Sequence, residues 1–208
     1  MRLKFFNGFL VAVLLLPPFF VSLQAEEEEG QVEVQRVRFS NAQPAGSGRT
    51  WREIEVQLNV RGPADRNVIN PRYVDNIDVE LNLSFEVSRG EVETTRFYRS
   101  AVAIPTLERG RHTVHFYLPP EVVSRDRISG DPQAYLVNLS VDGVQQNLSS
   151  SALSRILERE SVRESFQGRV ESEAGVNDGI LLPIHLTPFV NDRQYLREMP
   201  SVRRQGER

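Results

Sequence analysis

Cysteine is absent from all 208 residues. No disulfide can staple the chain, no lipid can be attached to an N-terminal cysteine, and Cys-based zinc sites are excluded. Lysine is nearly absent too: Lys4 stands alone, and every other basic side chain is arginine. With 25 basic residues against 28 acidic ones, interspersed along the chain, there is no basic footprint for nucleic acid. A GxSxG elbow, an HExxH helix and a Gly-rich phosphate loop are all missing. The apolar run from Phe9 to Leu16 falls well short of the roughly twenty residues needed to span a bilayer.

That run has the anatomy of an export signal. Arg2 and Lys4 precede it, Pro17-Pro18 breaks it, and Leu23-Gln24-Ala25 ends in a small residue suited to cleavage. We expect residues 1–25 to be a signal peptide and residues 26–30, an acidic run closed by Gly30, a disordered lead-in. An uncleaved anchor over Phe5 to Leu23 is the competing reading, and the two prolines weaken it. The mature chain is then exported to the periplasm or cell surface, with no transmembrane span. Lacking disulfides, it must draw its stability from a core.

The core signal is plain in Ile77 to Val87. Every odd position is apolar and every even one polar, so a strand would carry one greasy and one wet face. At about 3.4 Å per residue it would run roughly 37 Å. Further strands are expected at Gln31 to Phe39, Trp51 to Val60, Val92 to Ile104, Arg111 to Leu118, Ala134 to Val141 and Val144 to Leu148. Apolar parity switches near Gln35-Arg36, which predicts a bulge. Arg89-Gly90-Glu91 and Asp142-Gly143 predict hairpin turns. The pattern predicts a mainly β chain: an immunoglobulin-like antiparallel sandwich of about seven to nine strands over residues 31–189. One short helix is expected at about 150–167, capped by Ser149 to Ser151. Gly179 to Phe189, broken by Pro183 and Pro188, reads as an edge strand or capping segment. Residues 190–208 read as a flexible Arg-rich tail.

Candidate chemistry is sparse. His112 and His115 lie three apart in a strand, on opposite faces, and make a poor metal clamp. No catalytic set, metal site or cofactor is expected. Asn82, Asn138 and Asn147 each open an Asn-Leu-Ser triplet, a glycosylation acceptor in a eukaryotic secretory pathway; two of them fall within expected strands, where Asn and Ser read simply as the outward-facing residues. The candidate interaction surface comprises the acids Asp78, Glu80 and Glu86 and the aromatics Trp51, Tyr73, Tyr98 and Tyr117. The acids read as solubilising or partner-facing charges, and Trp51 as a cap on the end of the sandwich core. A carbohydrate-binding adhesin module using the aromatics against surface glycans is the alternative function.

Several stretches together carry a resemblance: RVRF ending at Phe39, WREIEV from Trp51 and the long strand after Asp75-Asn76, then YRSAVAI from Tyr98, HTVHFYLP from His112, PQAYLVNLSV from Pro132 and the closing IHLTPF. The chain resembles the pilus-like secreted bacterial proteins with an immunoglobulin-like fold from type IV pilus-associated loci. That resemblance implies a non-enzymatic envelope role in pilus assembly or surface attachment, with envelope or pilus-system proteins as partners. Gly8-Phe9 looks like a prepilin processing site, but Val13 stands where that pattern wants Glu. The implied role is therefore that of an accessory, not a shaft subunit.

Overall fold

The computed structural model describes residues 30–63, 69–89, 92–192, 195 and 200–203. The expected signal peptide and nearly all of the acidic lead-in lie outside them. Ten regular elements follow in order: β1 (Val32–Ala42), β2 (Trp51–Val60), β3 (Tyr73–Arg89), β4 (Val92–Glu108), β5 (Gly110–Leu118), α1 (Pro120–Arg125), β6 (Ala134–Val141), β7 (Val144–Gln145), α2 (Glu160–Glu173) and β8 (Leu182–Pro183).

Alternation builds the core. Ile77, Val79, Leu81, Leu83, Phe85 and Val87 of β3 are all buried. They meet Val102, Ile104 and Tyr98 of β4 and Tyr135, Val137, Leu139 and Val141 of β6 in register. Across the sandwich, β2 and β5 contribute Ile54, Val56, Leu58, Val60, Val114, Phe116 and Leu118. One sheet runs β1-β2-β5-β8 and the other β4-β3-β6-β7, and every pairing is antiparallel. The chain crosses between sheets after β2, β4, β5 and β7, the interleaving of an immunoglobulin-like sandwich in which the fourth strand joins the sheet of the third. The β1 register slips between Val34 and Arg36, where the parity switch predicts a bulge. Asp142 and Gly143 take φ of 51° and 77°, the left-handed pair of a two-residue hairpin turn. Gly90 and Glu91, the other expected turn, lie outside the described residues.

The helical segment departs from expectation. Ser149 does not cap a helix; its hydroxyl donates to the Val34 carbonyl at 2.7 Å. Two 3-10 turns, Ser150–Ala152 and Arg155–Glu158, come first, and α2 starts only at Glu160. It packs Phe166 and Val170 onto Phe97 and Leu136, on the outward face of the second sheet. A second helix, α1, opens with Pro120 at its first turn, where a missing N–H costs nothing. The expected flexible tail is anchored at its described positions. Tyr195 is buried, Val202 packs against the sandwich core, and the Arg203 N–H donates to the Ala103 carbonyl at 2.7 Å.

Candidate functional site

The outward face of the first sheet is built from residues of opposite parity to the core. Register places Ser40 beside Glu53, Arg38 beside Glu55, Glu53 beside Tyr117, and Glu55 beside His115. One end of this face is covered by the chain around β8. Leu182–Pro183 pairs with Tyr117 and Phe116 as a proline-bearing edge strand. Ile184, Phe189 and Tyr195 then close over Tyr117. Phe189 stacks on Tyr117 at 4.3 Å between ring centroids, and Trp51 meets Phe189 edge-on at 5.8 Å. A small second core thus lies outside the sandwich.

Under its rim sits a polar cluster. Glu53 is only 5 % exposed. Its Oε1 accepts from the Tyr117 hydroxyl at 2.7 Å and from His115 Nδ1–H at 3.1 Å, while Oε2 accepts from the Ser40 hydroxyl at 3.0 Å. Burial works to raise the Glu53 pKa, but the bonds from His115, Tyr117 and Ser40 outweigh it and hold the carboxyl below its ordinary value. Burial first, then Glu53 and Tyr195, push the Tyr117 phenol well up, so it stays a donor. Glu55 is half-buried, with Arg38 Nη1 4.0 Å from its carboxylate. Asn41, Gln43, Glu53, Glu55, Thr113, His115 and Tyr195 line an open hollow of about 430 Å³.

A second buried carboxylate lies at the end of α1. Asp126 is 1 % exposed and accepts from the Tyr98 hydroxyl and from Arg125 Nε and Nη2. Burial again works upward on its pKa, and Arg125 and Tyr98 outweigh it. Both carboxylates therefore contribute stability that is fully present above their unfolded values, about 4.3 for Glu and 3.9 for Asp. That contribution is lost as pH falls through the lower folded values. Urea unfolding should thus show its midpoint dropping as pH falls below about 5. Glu53→Gln should start lower and fall less steeply; parallel curves would remove Glu53 from the acid transition.

The sequence-predicted aromatics are not brought together as a platform. Tyr98 and Tyr117 are both 0 % exposed. Trp51 does not cap the sandwich core; its outward parity sends it into the outer cluster beside Tyr117 and Phe189. Tyr73 is exposed at the start of β3, in the other sheet. Asp78, Glu80 and Glu86 are exposed on β3, as expected of its wet face. Glu80 accepts from Asn82 and Asn138, and Asp78 from Ser140. Asn138 lies on the sheet surface as expected, whereas Asn82, of the same outward parity as Glu80, is only 3 % exposed. Sequence reasoning missed Glu53, Glu55 and His115 as a group. The alternating acids of WREIEV and the outward His of HTVHFY were visible, but nothing local says that these strands are neighbours in this register.

The architecture defines an immunoglobulin-like sandwich with an added cover on the outside of each sheet. A crystal structure of a protein from Akkermansia muciniphila shares this fold, with a TM-score of 0.64 over 85 % of this chain and 94 % of that one, at 16 % identity. Likeness at that identity is likeness of fold. No protein-family model and no curated protein matches the chain. No helix among the described residues is long and apolar enough to cross a membrane.

Proposed function

We propose that this protein is a non-enzymatic, exported structural and interaction module, an accessory of a type IV pilus-like envelope system. It acts in pilus assembly or surface attachment through protein contacts, in the periplasm or at the cell surface. One observation carries the reading: residues 31–189, which bear the sequence resemblance to pilus-like secreted proteins, form the sandwich that the resemblance implies. The exposed acids Asp78, Glu80 and Glu86 of β3 are the partner-facing charges in this reading. Charged groups across an interface steer and select a partner more than they bind it tightly.

Affinity capture from envelope extracts of the producing bacterium, with bound proteins identified by mass spectrometry, tests the assignment. Pilus-assembly or secretion components should be recovered, and at least tenfold less of them with the triple variant Asp78→Lys, Glu80→Lys, Glu86→Lys. Recovery of no such component would sink the accessory role. Equal recovery by the variant would move the contact off β3.

A further inference from the structure

His115 brings a ring nitrogen beside two carboxylates. Its Nδ1 lies 3.1 Å from Glu53 Oε1, and the strand register sets Glu55 directly opposite it. The side chain is 5 % exposed and lines the open hollow.

We propose that Glu53, Glu55 and His115 bind one divalent transition-metal ion of the zinc type. Each side chain offers one ligand atom, and the three atoms lie within 4.8 Å of one another. Tetrahedral ligands at zinc bond lengths sit about 3.3 Å apart, so a modest inward turn of the half-buried Glu55 closes the set. Three protein ligands with the remaining position open to the hollow is the donor count of an accessible zinc site. An imidazole with two carboxylates favours zinc, manganese or iron over calcium and magnesium, which prefer oxygen alone. The surroundings suit the role. The hydroxyls of Ser40 and Tyr117 already orient the Glu53 carboxylate, as outer-shell partners orient ligands in metal sites. The two acids lend the site a negative charge that a dication neutralises.

The ion would cross-link β2 to β5 directly beneath Tyr195, whose ring lies edge-on to His115 at 4.9 Å. This inference is independent of the pilus assignment, and either can fail without the other.

Chelator-stripped protein titrated with ZnCl2 alone, by calorimetry and by thermal melting, provides the test. One zinc per chain is expected, with a raised melting temperature. Glu55→Gln should weaken binding at least tenfold while leaving the metal-free melt near the parent's, because Glu55 has only a long-range contact with Arg38. His115→Gln should weaken it further, whereas Glu80→Gln on the other sheet should change nothing. Zinc binding that Glu55→Gln and His115→Gln leave intact would be an adventitious surface site and would overturn the proposal. So would tighter binding of calcium than of zinc, or no binding at all.

Discussion

Phe189→Ala should destabilise the protein by about 3–5 kcal/mol, the usual cost of emptying an aromatic-sized hole in a packed core. The residue comes late in the chain and lies outside the sandwich, where a surface-like cost would be the naive expectation. Three features argue otherwise. Its exposure is 0 %, its ring stacks on Tyr117, and Trp51 and Tyr195 close over it edge-on. Offset stacks and edge contacts add about 0.5–1.5 kcal/mol per pair beyond area burial. Losing the ring also opens a water path to Glu53 and His115, whose hydrogen bonds are strong because they are sheltered. Urea unfolding followed by Trp51 fluorescence would report it directly, since the only tryptophan lies against the deleted ring. A loss under 1 kcal/mol would show that the covering chain adds little to stability and that the sandwich stands without it.

Asp126→Ala should cost about 2–4 kcal/mol. The change strands the Tyr98 hydroxyl, which is fully buried and gives its proton to Asp126. It also frees Arg125, but that guanidinium is 44 % exposed and finds water. Most of the penalty should therefore come from the tyrosine side. The double variant Asp126→Ala, Tyr98→Phe should recover a good part of it, because replacing both partners by apolar groups removes the orphan. Arg125→Ala should cost no more than about 1 kcal/mol, as a solvent-facing ion pair does. If the double variant is no more stable than Asp126→Ala alone, the buried bond between Tyr98 and Asp126 is not what makes the site costly to disturb.

Much of the sandwich was legible because its signals are local. Ile77 to Val87 alternates without a break, and period-two alternation admits one geometry. The bulge at Val34/Arg36 and the turn at Asp142-Gly143 each follow from two adjacent residues. The start of α2 was misread because Ser149 to Ser151 has a capping composition, while the Ser149 hydroxyl is taken by Val34, far away in sequence. Tyr98 and Tyr117 illustrate a different limit. Strand parity tells which side of a sheet a ring leaves from, and Tyr117 does leave outward. It cannot tell that Phe189 arrives later to cover that side. The Glu53–Glu55–His115 cluster failed for the same reason: Glu55 faces His115 only through a pairing of strands distant in sequence.

The chain that runs from β8 to Arg203 touches both sheets in turn, first the outer face at Tyr117 and then the β4 edge at Ala103. It is synthesised after the strands β1 to β7. Those sheets can therefore pair early, yet the first one keeps a wet, uncovered aromatic face until this late segment arrives. Contacts spanning such distances form slowly, because the loop they close must first be ordered. The strands from β1 to β7 can thus pair while the outer face of the first sheet still awaits its cover.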